Sequence, residues 1–284
     1  ESTAHMTWDR FGYICRKAAS GSSGASLAAR LEQAQSEQAC SLYGPAPKAD
    51  SWPAQLLTRL AAMPEPDNAE RALNTYQRLN LSRQLEAPVK FKRALAYLAY
   101  VTVVFYVVAG IYQFKITPTF SNLLNNIQMA PPAYLSLYQT YWSLFILAIS
   151  LLILLALLSA LQMRRLFQFK VNAENGLACR LLVLPSCRHA YRQMADALQY
   201  PTLDRHALSE QSPVLQHLQQ VEERGLDLAI EIQALTEVQM QGFLQACEKQ
   251  LKGLTTLVAV VVIVAVMMFL TSAYAPIFSL GEAI

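Results

Sequence analysis

Cys179, Cys187 and His189 lie within eleven residues of one another, and thiols beside an imidazole are groups that hold soft metals or form activated nucleophiles. Their spacing, Cys-x7-Cys-x-His, departs from zinc arrangements, in which paired ligands sit about two to five residues apart. In a helical setting they read as packed thiols. His206 and His217 are eleven residues apart, about three helical turns, yet Pro213 between them breaks such a helix. That leaves solvated or partner-facing imidazoles. Asp196, Asp204, Glu222, Glu223, Asp227 and Glu231 form an acidic population able to attract a cation, and a solvated helix face accounts for them more simply. No Gly-x4-Gly-Lys-Ser/Thr, Gly-x-Ser-x-Gly or His-Glu-x-x-His pattern occurs. The residues therefore predict no catalytic site, no bound cofactor and no metal. All five cysteines (Cys15, Cys40, Cys179, Cys187 and Cys247) fall in regions expected to face a reducing cytoplasm.

What the chain does supply is apolar length. Of 284 residues, 54% are apolar and 15% charged, and the excess gathers in residues 94–113, 143–161 and 254–275. Each block has 19 to 22 residues, enough at about 1.5 Å per residue to cross a hydrocarbon core of roughly 30 Å. None contains Asp, Glu, Lys, Arg or His, whereas an ion or proton path needs such groups at membrane depth. Ala156-Leu-Leu-Ser-Ala160 is a small-residue face suited to close helix packing. These spans are built to hold and assemble.

Basic residues sort the flanks. Arg83, Lys90, Lys92 and Arg93 precede the first span; Arg164, Arg165 and Lys170 follow the second; Lys249 and Lys252 precede the third. Residues 114–142 hold one basic residue, Lys115. The expected layout is a cytoplasmic N-terminus, a periplasmic loop at 114–142, a second cytoplasmic region at 162–253 and a periplasmic tail at 276–284. The net charge of +3 gathers in these collars, since residues 1–93 carry 12 basic and 9 acidic residues and residues 164–253 carry 10 of each. No basic stripe marks a nucleic-acid surface. Lys90, Lys92, Arg93, Arg164 and Arg165 have two readings, contact with the anionic lipid bilayer or a dock for an acidic cytoplasmic partner.

The cytoplasmic regions read as helical. Residues 1–26, polar and ending in a Ser/Gly run, are expected to be a flexible N-terminus. Residues 27–93 are expected to form a first helical domain. Trp52-Pro53 opens a helix through Leu56, Leu57 and Leu60, and Asp67 or Asn68 caps a longer one. In the second domain, residues 162–253, a stripe of Met240, Phe243, Leu244, Cys247 and Leu251 lies at helical spacing. An offset of 158 residues lays Pro118-Thr-Phe120-Ser121 on Pro276-Ile-Phe278-Ser279 and the first span on the third. The expected fold is an all-α membrane protein: three transmembrane helices with two cytoplasmic helical-bundle domains related by internal duplication. Each proline is expected to stop or bend its helix where the lipid ends.

Tyr274-Ala-Pro276-Ile-Phe278-Ser-Leu-Gly-Glu-Ala-Ile284 after a final span resembles the C-terminus of type II secretion F proteins and type IV pilus inner-membrane platform proteins. Leu182-Val-Leu184-Pro185 with Arg188 and Tyr191-Arg192 is similar to that family's Leu-x-Leu-Pro segment. Ala130-Pro131-Pro132 with Tyr141-Trp142 resembles its proline loop, and Glu223-Arg-Gly225-Leu-Asp227 its Gly-Glu-x-x-Gly-x-Leu. The similarity spans about residues 65–284 and is that of a divergent, short member. It implies an inner-membrane platform and scaffold, not an enzyme, coupling a cytoplasmic ATPase to insertion and extraction of pilin or pseudopilin subunits. The implied partners are that ATPase, the subunits, other inner-membrane assembly proteins and further copies in a dimer or larger oligomer. A holin-like membrane pore without a filament is the alternative.

Overall fold

The computed structural model of the chain describes residues 2–21, 25–81, 85, 90–126, 133–171, 173–203 and 212–282. Its helices are α1 (Ser2–Ala19), α2 (Leu27–Ser36), α3 (Trp52–Ala61), α4 (Pro66–Arg78), α5 (Lys90–Ile111), α6 (Thr117–Asn126), α7 (Ala133–Leu166), α8 (Leu177–Leu182), α9 (Pro185–Gln199), α10 (Pro213–Glu223) and α11 (Leu228–Glu282). Among the described residues, extended pairing is confined to one isolated bridge, Ser51 with Lys170. The chain divides into two compact units. A helical unit holds residues 1–88 and 162–247, and an apolar unit holds residues 89–161 and 248–284.

The helical unit corrects two expectations. Residues 2–19 form α1 rather than a flexible segment, because Trp8, Phe11, Ile14, Cys15 and Ala18 recur at helical spacing and are all buried. The polar average of that stretch concealed its one apolar face. The segments expected as two separate domains instead share one core. Phe11 packs edge-on against Tyr76 of α4 at 5.4 Å between ring centroids, and Trp8 against Phe169 at 6.0 Å. The Tyr76 hydroxyl donates to the Leu198 carbonyl at 2.7 Å, joining α4 to α9. The Trp52 indole N–H donates to the Tyr191 hydroxyl at 3.0 Å, and that hydroxyl donates to the Lys170 carbonyl at 3.2 Å.

Beside this network the backbone turns sharply. Phe169 has φ of 49°, a left-handed conformation unusual for an aromatic residue, and its ring is buried. The turn is held because the Trp52 N–H donates to the Phe169 carbonyl and the Val171 N–H to the Asp50 carbonyl, each at 2.9 Å. Lys170 Nζ reaches Asp50 Oδ2 at 2.6 Å, which holds the Asp50 carboxyl below its ordinary range.

The other short-range expectations fare well. Pro53 sits in the first turn of α3, whose Trp52, Leu56, Leu57 and Leu60 are buried. The cap of α4 is Glu65, two or three residues before the expected Asp67 or Asn68, with Pro66 at the first position. Met240, Phe243, Cys247 and Leu251 are buried on one stripe of α11.

Three helices are long and apolar enough to cross a membrane, Arg93–Thr119, Thr140–Leu166 and Leu228–Thr271, and the last begins in the helical unit. They make this a multi-pass membrane protein. Helix overruns the expected boundaries at every step. Pro118 does not stop the first span; a π-helical turn, Tyr112–Ile116, precedes it and α6 carries on to Asn126. A proline ring crowds the carbonyl four residues back and offers no N–H to it, and one wide turn relieves both defects. The Thr117 N–H bonds to the Tyr112 carbonyl, five residues back, and Thr117 Oγ1 donates to the same carbonyl at 3.1 Å. Residues 114–126 and 133–142, expected as loop, are therefore helical, as are residues 276–282 of the expected tail, since α11 runs past Pro276 to Glu282. Ala130, Pro131, Pro132, Asp204 and His206 lie outside the described residues, as do the side chains of Lys90, Lys92, Phe120, Pro276 and Phe278.

Candidate functional site

Ring stacking organises the apolar unit. Phe269 of α11 is buried at the meeting point of all three spans, with centroids 5.1 Å from Tyr112, 5.4 Å from Trp142, 6.1 Å from Phe145 and 6.4 Å from Phe105. Tyr112 stacks on Trp142 at 5.6 Å. Because Tyr112 also opens the π turn, the aromatic junction and the helix irregularity are one feature. Sequence reasoning missed this cluster. The signal was present, with Tyr112 at the end of the first span, Trp142 at the start of the second and Phe269 late in the third, all at one end of antiparallel crossings.

The rest of the core is filled by side chains at helical spacing: Leu98, Phe105 and Ala109 from α5, Ile149, Ile153 and Ala156 from α7, and Val258, Val262 and Ala265 from α11. Ala156, Ser159 and Ala160 are buried, as the small-residue pattern predicts. Between α7 and α11 an apolar groove of about 350 Å³ opens, lined by Phe145, Ala148, Ile149, Leu152, Val261 and Ala265 among others. The Tyr106 hydroxyl donates to Ser150 Oγ at 2.6 Å, and Ser150 Oγ donates to the Ile146 carbonyl at 2.7 Å.

The collar residues occupy helix ends. Lys90, Lys92 and Arg93 open α5, and Arg164 and Arg165 close α7; Arg93, Arg164 and Arg165 are exposed. Cations in the last turn of α7 lie at the negative end of its dipole, a favourable arrangement. Pro118 is exposed on the outer surface of its helix.

Three motif positions prove to be turn chemistry. Pro185 is the first residue of α9, with the half-exposed Leu184 as its N-cap. Gly225 has φ of 69° and terminates α10: its N–H reaches the Glu222 carbonyl at 3.0 Å, and the Leu226 N–H the Val221 carbonyl at 3.1 Å. That pair of bonds is the Schellman arrangement, which favours glycine at this position. Asp227 then caps α11, accepting from the Ala229 N–H at 3.0 Å while its other oxygen accepts from Arg78 Nη1 at 2.8 Å.

The other candidates scatter. Cys187 hydrogen-bonds Cys247, and Cys179 is close enough to act on that thiol, all three buried, while His189 is exposed and does not join them. Among the described residues no group of His, Cys, Asp and Glu is placed to hold a metal. His217 Nε2 lies 2.7 Å from Glu231 Oε1, joining α10 to α11, and Tyr200 donates to Glu222 at 2.9 Å. Burial pushes the Asp196 carboxyl up, against opposing help from Ser212, Arg192 and His189. Among the described acids, Glu222, Glu223, Asp227 and Glu231 are thus spent on capping and pairing. No protein-family model matches the chain, and no curated protein or solved structure matches it.

Proposed function

We propose that this chain is a bacterial inner-membrane platform of a type II secretion or type IV pilus machine, with a cytoplasmic N-terminus and a periplasmic C-terminus. It performs no reaction itself. A cytoplasmic ATPase engages the helical unit, and the displacement passes through helices into the apolar unit, where pilin or pseudopilin subunits enter or leave the filament. The observation that supports this reading is α11. Leu228–Glu282 is one helix of 55 residues, about 80 Å long at 1.5 Å per residue, with its first part in the helical unit and its remainder in the apolar unit. A continuous helix transmits a push that a loop would absorb. The resemblance in motif order over residues 65–284 supplies the machine.

On this reading the chain is a duplicated module of helix, span and Pro-x-Phe-Ser. The first copy is α4 followed by α5 and the second is α11, so the first is jointed where α4 ends at Arg78 and the second is not. The collar cations dock the ATPase or its partner proteins, and the chain works as a dimer or larger assembly.

The test is photocrosslinking from Arg93 and Arg164 in the cells that make the protein. A hexameric ATPase and pilin-like subunits should be captured, and reversing the charge of Lys92 and Arg93 should abolish filament assembly while insertion persists. Capture of neither from a fully inserted protein rejects the reading. Ion leakage through proteoliposomes holding the pure chain would instead favour the pore.

A further inference from the structure

Leu177 and Leu181 of the helical unit are 78% and 85% exposed, more than the span residues Leu147 at 64% and Ile263 at 62%. They stand four residues apart on α8, hence on one face, and Leu184, at 48%, follows directly. The opposite face of the same helix is anchored by Cys179, which is buried. Single exposed leucines are ordinary on a soluble surface; three within eight residues, two of them on a helix of six, are not.

Charge surrounds them. Residues 175–195 contain Arg180, Arg188 and Arg192 and no Asp or Glu, with Glu174 and Asp196 at the two borders. Arg180 and Arg192 are exposed, and Arg192 also donates to Asn175 Oδ1 at 3.2 Å and lies near Asp196. Leucines that demand an apolar phase, beside arginines whose stems can lie along that phase while their heads stay in the polar layer, form the pattern of an interfacial membrane segment. Covalent tethering favours the same occupant. Leu177 comes only eleven residues after Leu166, the last residue of α7, whose final turn holds Arg164 and Arg165. Eleven residues span at most about 37 Å even fully extended, so the bilayer that α7 enters is always within reach.

We propose that α8 and its flanks are a monotopic membrane contact: Leu177, Leu181 and Leu184 enter the acyl boundary of the leaflet from which α7 emerges, and Arg180 and Arg192 bind its anionic headgroups. This surface is independent of any filament or ATPase. It would fix the helical unit against lipid, and each arginine at an anionic surface adds about 1 kcal/mol, or roughly fivefold in occupancy of the docked state.

The experiment places an environment-sensitive nitrobenzoxadiazole label on Leu181→Cys in the full chain, reconstituted into phosphatidylcholine–phosphatidylglycerol vesicles. All five native thiols are buried, so the unsubstituted chain serves as the labelling blank. Glu32→Cys, at an exposed position of α2, is the aqueous reference. The label at 181 should emit to the blue of that at 32 and lose most of its intensity when the lipids are brominated near the headgroup. Both effects should weaken with Arg180→Glu plus Arg192→Glu, and in vesicles lacking phosphatidylglycerol. Emission at 181 equal to that at 32 overturns the proposal. So does a blue-shifted label that brominated lipid fails to quench, which would place a protein surface over α8.

Discussion

Gln250 Nε2 donates to Ser159 Oγ at 2.9 Å, a buried amide–hydroxyl contact joining α11 to α7 beside the small-residue face. Where little water competes, such a bond fixes helix register more than it adds stability. Ser159→Ala should destabilise the apolar unit by about 1–2 kcal/mol, because the Gln250 amide loses this partner while staying buried. Gln250→Leu should be better tolerated than Ser159→Ala. Unfolding in mixed micelles would reveal the asymmetry, and a double-mutant cycle its coupling; equal effects from the two single substitutions would contradict it.

Phe269→Ala should be the most damaging single truncation in the spans. It removes the ring that meets Tyr112, Trp142, Phe145 and Phe105 and leaves a cavity, for a loss of roughly 3 kcal/mol or more. Phe114→Ala, at a position 79% exposed, is the matched control and should change little. The same micelle titration compares the two.

Pro118→Ala restores an N–H to the chain and removes the ring that crowds the preceding turn. The π turn at Tyr112–Ile116 should then tighten to an α turn, rotating α6 by about 100° relative to α5. Spin labels along residues 119–126, read against a fixed label on α5, would show a one-residue shift in the pattern of distances. An unchanged pattern would mean that Tyr112 stacking, rather than the proline, holds the bulge.

Gly225→Ala tests backbone conformation alone, since a Cβ there meets no atom within 4 Å and φ is 69°. The helical unit should lose about 1 kcal/mol. Gly225→Asn should lose less, because asparagine tolerates the left-handed region. Thermal unfolding of the three proteins side by side is sufficient.

Asp196 gives the pH dependence its sign. Burial raises its folded value above the unfolded one, so its charge opposes folding. Stability from this group is full below the ordinary aspartate range and declines as pH rises through the raised value. Asp196→Asn should therefore raise Tm at neutral pH and flatten the loss between mildly acidic and neutral solution. A lower Tm for Asp196→Asn at neutral pH would show that the Ser212 hydrogen bond outweighs desolvation.

Much of the local structure was legible because it follows from short-range rules. Pro53 marks a helix start and the stripe through Met240 and Leu251 a buried face, whereas Pro185 and Gly225, singled out only as motif residues, prove to start and end helices. Pro118 misled for an instructive reason: proline disfavours one hydrogen-bond pattern, and a single π turn avoids that pattern without ending the helix. In α1 the polar average hid a stripe that spacing alone would have revealed.

By itself the sequence determined that this is a helical protein with three membrane crossings, since the free energy of placing 19 to 22 uncharged residues in lipid depends on composition and length alone. Only the tertiary structure decided that α1, α4 and α9 share a core, that Phe269 gathers four rings, and that Gln250 meets Ser159. Those contacts join residues up to 164 positions apart in the chain, as from Phe105 to Phe269, and depend on which faces fit together once every helix is placed. No local pattern encodes that fit.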